Sequence, residues 1–155
     1  MVQAAKQSPG KVTTGIWQRP TPDTKFCIDY DWWRDKGKDV RVAVRGQLCS
    51  DCQSRFMDHR NTEAVDWVDP ETAEVTRADA LIQCLRDECA HKPEFISRAN
   101  PLITNVFRLF LYNGNQPLSC REMAERMPWS NASSILRTLT SGEIYMGIRP
   151  IASSD

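Results

Sequence analysis

The sequence predicts an α+β fold, with an antiparallel β-hairpin near the N terminus and a bundle of three short helices in the last third. Two patterns carry this prediction. Apolar and polar residues alternate with period two on either side of a polar turn between Phe26 and Val44, as expected of strands with one buried face. From Pro101 onward, apolar residues recur at helical spacing between residues that favour helix caps.

Charge and length limit the classes of function. The chain has 155 residues, with 20 basic and 20 acidic side chains. A net charge of zero argues against a protein that coats nucleic acid or anionic lipid through bulk charge. No apolar run approaches the roughly 20 residues of a membrane span, and the first residues lack the apolar core of a secretory signal. We therefore expect a cytoplasmic protein with no membrane partner.

The chain is expected to divide into three regions. Residues 1–22 hold three basic side chains, no acidic one and few apolar ones, which predicts a flexible tail. Within that tail, Trp17 is a candidate anchor for a partner, or else it packs on this protein's own surface. Residues 23–99 are expected to form the hairpin and a cysteine-rich region, and residues 100–155 the helical region.

The predicted hairpin has one apolar face. Its two strands carry that face on alternate residues: Phe26, Ile28, Tyr30 and Trp32, then Val40, Val42 and Val44. Gly37 lies in the polar turn, where a positive φ angle is useful. Because Trp33 points away from the apolar face, it is a candidate partner contact.

The cysteines predict a metal site. The six are Cys27, Cys49, Cys52, Cys84, Cys89 and Cys120. Because cytoplasmic thiols stay reduced, they predict metal ligands or buried thiols rather than three disulfides. Cys49 and Cys52 have zinc-knuckle spacing, directly after the second predicted strand. Cys84 and Cys89, near the end of a helix expected from an N-cap at Thr76 to about Asp87, are the other two candidate ligands.

Four ligands of this kind predict a closed, structural Zn²⁺ site rather than a catalytic one. His91 is an alternate for Cys89, and His59 is an alternate for either cysteine of the second pair. Without a metal, Cys84 would face the core and the first pair would be free surface thiols. A redox motif is less favoured, because such a CxxC pair begins a helix within a βαβ unit.

The last third contains three helices and a final extended segment. The helices are predicted between Asn100–Pro101 and Asn113–Gly114, from the capping box at Ser119–Glu122 to Met127–Pro128, and from Ser130 or Asn131 to Gly142. The extended segment covers about residues 144–151.

Residues 101–151 resemble a winged-helix or helix-turn-helix domain, with Leu118–Leu139 as the two-helix unit; no specific family is indicated. Too little chain follows Ile151 for a full wing. The single terminal strand is therefore expected to pair with the Phe26–Val44 hairpin, so that the hairpin and zinc knuckle pack on a three-helix, helix-turn-helix-like bundle.

The resemblance implies contacts to a partner from the second helix of the unit. The candidate contacts are Asn131, Ser134 and Arg137, with Arg121 on the first helix. Readers of DNA or RNA normally bring several cations to the phosphates, and residues 61–100 carry a net charge of minus five. Nucleic-acid binding would therefore be modest and local, and a protein partner is the open alternative.

No sequence feature indicates an enzyme. The chain contains no glycine-rich phosphate-binding loop and no nucleophile motif beside its two histidines. We expect a small zinc-binding regulatory or adaptor protein with no small-molecule substrate. The alternative is an interaction subunit of a larger complex, with a structural zinc and no nucleic-acid binding.

Overall fold

The computed structural model describes residues 19–56, 64–68 and 75–151, with the backbone alone for 64–68 and 75–79. The elements in chain order are β1 (Lys25–Ile28), α1 (Tyr30–Asp35), α2 (Val40–Gly46), α3 (Ser50–Arg55), β2 (Ala64–Val68), β3 (Val75–Asp79), α4 (Ala80–Asp87), a 3-10 turn (Cys89–His91), α5 (Leu102–Tyr112), β4 (Leu118–Ser119), α6 (Cys120–Arg126), α7 (Ala132–Leu139) and β5 (Ile148–Pro150). The predicted α+β class is confirmed. No helix of these described ranges is long and apolar enough to cross a membrane.

The chain forms two compact units. We call them the sheet unit, with described residues 19–38 and 96–151, and the cysteine unit, which runs from residue 39 to residue 95. Residues 1–18 of the predicted tail, including Trp17, lie outside the described residues. The division at residues 99 and 100 that the sequence predicts stays a prediction.

Strand β1 lies at the centre of the sheet unit. The antiparallel sheet has the order β4-β1-β5, in which Phe26 faces Leu118 on one side and Pro150 on the other. The side chains of Phe26 and Ile28 are buried. The expected pairing of the terminal strand with the N-terminal segment is confirmed, but it is confined to β1.

Helices α5, α6 and α7 begin and end close to the predicted positions. Side-chain caps specify the starts of α6 and α7, whereas Pro101, the N-cap residue of α5, makes no side-chain cap bond. At the start of α6, the Ser119 hydroxyl accepts from the Glu122 amide, and the Glu122 carboxylate accepts from the Ser119 amide. At the start of α7, the Asn131 side chain accepts from the Ser134 amide at 2.9 Å. Each bond satisfies an amide that the first helical turn leaves without an intrahelical partner.

The predicted Phe26–Val44 hairpin is wrong, since helices α1 and α2 replace most of it. The side chains of Asp29 and Asp39 accept from the amides two residues later, and each begins a helix. Period two would place Val42 and Val44 on one face, yet Val42 is 54% exposed and Val44 is buried. That difference in exposure fits a helix, in which successive side chains are rotated by about 100°. The capping aspartates therefore outweigh the strand propensity of the valines.

The cysteine unit contains α2, α3, the antiparallel pair β2-β3, α4 and the 3-10 turn. The helix cap predicted at Thr76 is wrong, because this residue lies in β3 opposite Trp67, and α4 begins only at Ala80. The predicted zinc knuckle after a strand is also corrected: the residues that precede Cys49 form α2.

Gly147, just before β5 in the sheet unit, is closely surrounded by other atoms. Its φ angle is +76°, and a Cβ atom there would lie 2.7 Å from Trp33 Nε1 and 3.1 Å from the Asp29 carbonyl oxygen. The Trp33 indole donates to the Met146 carbonyl at 3.0 Å. Only glycine fits this close approach of the chain before β5 to helix α1.

We predict that Gly147→Ala lowers the free energy of unfolding by about 2–4 kcal/mol, because left-handed backbone strain adds to a steric clash. Gly37→Ala is the matched control. Gly37 has a φ angle of +68°, but a Cβ atom there would meet no atom of the described residues within 4 Å beyond its chain neighbours. Gly37→Ala should therefore lower the free energy of unfolding by only about 1–2 kcal/mol. Urea unfolding followed by tryptophan fluorescence measures both variants, and equal losses would contradict the role of the clash.

Candidate metal centre

The first cysteine pair lies at the start of helix α3. Cys49 is the N-cap residue and makes no side-chain cap bond, and Cys52 lies within the helix. Gln53 fixes this turn, because its side-chain amide donates to the carbonyls of Arg45 and Leu48 at 3.2 and 3.1 Å. The two sulfur atoms are therefore held on a short, hydrogen-bonded segment.

The second pair lies where helix α4 ends. Cys84 is buried on α4 beside Leu81 and Leu85, and Cys89 is buried at the first position of the 3-10 turn. The Glu88 amide donates to the Cys84 carbonyl at 3.0 Å and closes the end of the helix. Two different backbone segments thus each supply two cysteines.

The fold brings these four residues, which we call the cysteine quartet, to one place. The sulfur atoms of Cys49, Cys52 and Cys89 all lie within 4.8 Å of one another. Cys84 is joined to Cys52 by a disulfide, with a Cα–Cα distance of 6.2 Å. The quartet was expected to consist of four free thiols, so this disulfide is a correction. Cys49, Cys52 and Cys89 are nevertheless close enough to hold a metal ion.

Donors and charges surround the quartet. The Cys49 amide donates to Cys89 Sγ at 3.0 Å, and Arg55 Nη1 lies 3.7 Å from Cys84 Sγ. Arg55 also pairs with Glu88, Nη2 to Oε1 at 2.7 Å. That hydrogen bond lowers the pKa of Glu88 and raises the pKa of Arg55. Both stay charged beside the sulfur atoms at neutral pH.

The two free thiols of the quartet have different acidities. Burial raises the pKa of Cys89 to about 11, and the negative charge of Cys49 adds to the increase. Burial also acts to raise the pKa of Cys49, but hydrogen bonds from the Cys52 amide and from Cys89 outweigh it, so the pKa is lowered. The nearby charge of Lys92 contributes to that decrease. Cys49 is therefore the thiol that holds negative charge more readily.

The structure does not place the alternate ligand His91 in the quartet. His91 follows Cys89 closely but is exposed, and it belongs to neither group of candidate ligands found among the described residues. His59 lies outside the described residues. Glu88 was missed by the sequence analysis, although its carboxylate groups with Cys52 and Cys84 as a second possible ligand set. The sequence feature that could have identified Glu88 as a candidate ligand is its position directly before Cys89.

Three of the predicted partner contacts are engaged in contacts within the protein. Trp33 is 7% exposed and packs near Phe107, with ring centroids 6.1 Å apart, so it is a core residue rather than a surface contact. Arg121 pairs with Asp23 at 2.8 Å. Ser134 is half-buried, and its carbonyl accepts from the Thr138 hydroxyl.

Two of the predicted contacts lie on the surface of α7 and its cap. Arg137 and Asn131 are both exposed, but the Asn131 side chain is engaged in the helix cap. Among the predicted contacts, Arg137 is therefore the one with an exposed charged side chain on α7.

Comparisons with protein-family models, with curated proteins and with solved structures find no match to this chain.

We predict that Cys120 resists alkylation in the folded protein. It is completely buried, and burial raises its pKa to about 11, so only about one thiol in a thousand is ionised at pH 8. Cys27 should behave alike, because burial and the charge of Asp29 raise its pKa. Mass spectrometry after iodoacetamide treatment should find both unmodified until urea is added. Labelling at the same rate with and without urea would contradict their burial.

Proposed function

We propose that this chain is a small cytoplasmic zinc-binding regulatory or adaptor protein. In its reduced form, Cys49, Cys52, Cys84 and Cys89 hold one structural Zn²⁺ ion. The observation that carries this proposal is the convergence of two backbone segments: the sulfur atoms of Cys49, Cys52 and Cys89 lie within 4.8 Å of one another, and Cys84 is bonded to Cys52. Four sulfur ligands fill a tetrahedral shell, which leaves no open position for a substrate and supports a role without catalysis.

The distances between the sulfur atoms support a metal ion of the size of zinc as the occupant. Four thiolates with Zn–S bonds of about 2.3 Å lie about 3.8 Å from each other, within the 4.8 Å limit that three of the sulfurs already meet. Reduction of the disulfide frees the fourth sulfur beside them. The Cys49 amide and the Arg55 guanidinium then act as donors to thiolates, as expected around a metal-bound sulfur.

The order of elements in the sheet unit is the observation that supports the proposed helix-turn-helix-like module. Helices α6 and α7 follow one another after a short break, and β4 precedes them in a sheet whose other edge is β5. In a winged-helix domain, the strands after the last helix complete such a sheet. Here the N-terminal strand β1 occupies the central position, so a full C-terminal wing is unnecessary.

The surface of this module favours a protein partner over DNA or RNA. Arg137 is the single basic residue of α7, and Arg121 is engaged by Asp23. Trp129 before α7 and Tyr145 after it are each 37% exposed. Exposed aromatic side chains are enriched at protein interfaces, whereas nucleic-acid binding requires several cations. Nucleic acid remains the second candidate because Arg137 is free of the helix-cap bonds.

We predict that the protein purified under reducing conditions contains one zinc ion per chain. Cys84→Ala should retain less than a tenth of that zinc at equal chelator concentration, because three ligands bind the ion much more weakly than four. Cys27→Ala is the matched control and should retain it. Elemental analysis measures the stoichiometry, and less than about half an equivalent in the unsubstituted protein would overturn the zinc proposal.

We also predict that a mixed-sequence DNA duplex binds no more tightly than about 100 μM at physiological salt, the weak end of nonspecific binding. Fluorescence anisotropy of a labelled duplex measures this. Tight, salt-sensitive binding that weakens at least fivefold in Arg137→Ala would favour the nucleic-acid function instead. Arg34→Ala, on α1 and paired with Asp31, provides the matched control for loss of one positive charge.

A further inference from the structure

The quartet contains two arrangements that exclude each other. A disulfide joins Cys52 to Cys84, while Cys49 and Cys89 remain free. A metal ion held by all four residues requires every sulfur as a thiolate. Cys52 and Cys84 cannot serve both arrangements at once. Any oxidation that forms this bond therefore removes two of the four ligands.

We propose that the quartet is a redox-responsive metal site, in which oxidation links Cys52 to Cys84 and releases the zinc ion. This inference rests on the proposed zinc site. The oxidant is a two-electron hydroperoxide such as hydrogen peroxide. Reduction by a dithiol restores the four thiolates and metal binding. In a reducing compartment, a disulfide of this kind is transient and serves redox sensing rather than permanent stabilisation.

The backbone favours this pair for oxidation. The Cα atoms of Cys52 and Cys84 are 6.2 Å apart, inside the range that a disulfide spans without backbone movement. The two residues lie on separate helices, α3 and α4, of the same unit. The bond therefore replaces the metal as a link between the same two helices. The unit keeps a covalent connection when the ion leaves.

Access to the quartet is through Cys49. It is half-buried, whereas Cys52, Cys84 and Cys89 are at most 6% exposed. The Cys49 thiolate attacks one peroxide oxygen and becomes a sulfenic acid, and the departing hydroxide takes a proton to form water. The Cys52 thiolate then attacks the Cys49 sulfur, whose oxygen leaves with protons as a second water molecule.

Thiol–disulfide exchange completes the reaction. The Cys84 thiolate attacks Cys52 Sγ, forms the Cys52–Cys84 bond and returns Cys49 to a thiolate. In the balance, two sulfur atoms lose two electrons together, and the peroxide gains them, takes up two protons and becomes two water molecules. The zinc ion then dissociates, because two thiolates remain as ligands.

The test uses the full chain, reduced and loaded with zinc, whose metal content is measured first. Hydrogen peroxide is then added in the presence of a chromogenic zinc chelator. After the remaining thiols are blocked, peptide mapping identifies the linked cysteines. We expect about one zinc ion released per chain, a Cys52–Cys84 link, and rebinding of zinc after treatment with a dithiol. Dimedone added with the peroxide should trap the sulfenic acid on Cys49.

The outcomes separate this inference from the zinc proposal. If zinc is bound at the start but peroxide leaves it bound, or links another pair as the final product, the redox inference fails and the zinc site stands. A dimedone adduct on Cys84 instead of Cys49 would overturn the route. If the reduced protein holds no zinc before peroxide is added, both proposals fail. Cys27→Ala is the matched control and should release zinc as the unsubstituted protein does.

Discussion

The connection between helices α3 and α4 is the constraint on which the cysteine unit depends. Its buried apolar side chains, among the described residues, are Val44, Leu48, Cys52, Leu81, Cys84, Leu85, Cys89 and Phe95. Three of these eight are members of the quartet, so the cysteines make up a large share of the core that the described side chains form. A link between Cys52 and Cys84 closes a loop of 32 residues, which contributes roughly 3–4 kcal/mol in the chain-entropy account. In the proposed zinc-bound form, a metal ion shared by the two residues would close the same loop.

The sheet unit depends on a different kind of connection, one made by hydrogen bonds. Strand β1 is only four residues long, and the Asn115 side chain extends its pairing. The side-chain oxygen of Asn115 accepts from the Ile28 amide at 2.8 Å, and its nitrogen donates to the Ile28 carbonyl at 2.9 Å. Asn115 has a φ angle of 61°, a conformation that asparagine tolerates better than most residues. One side chain therefore satisfies both backbone groups at the end of β1.

The sequence predicts the last third well because its helix ends are specified locally. The Ser119–Glu122 capping box and the Asn131 cap involve residues three apart, and such signals need no tertiary context. The first third fails for the opposite reason. Asp29 and Asp39 favour helix starts, whereas the alternation of Val42 and Val44 favours a strand, and the sequence alone does not rank these two signals.

The candidate metal site lies between these two cases in how well the sequence predicts it. The spacing of Cys49 and Cys52 predicts one half of the quartet. The structure places Cys89 close to this pair, but it joins Cys84 to Cys52 by a disulfide instead of leaving it a free thiol. The disulfide between the two halves depends on the distance between α3 and α4, which no sequence spacing encodes. For the same reason, the contact of Arg55 with Cys84 was not foreseen.

Charge connects the metal site to the composition of the chain. Four thiolates around one zinc ion carry a net charge of minus two, and residues 61–100 already carry minus five. Arg55 and Lys92 are the cations near the quartet, but Glu88 and Asp51 pair with them at the surface. In the proposed redox response, oxidation of two thiolates, with release of the ion and protonation of the other two, would remove the net charge of minus two. In the proposed zinc-bound state, Arg55 and Lys92 would therefore offset part of the negative charge of the thiolates.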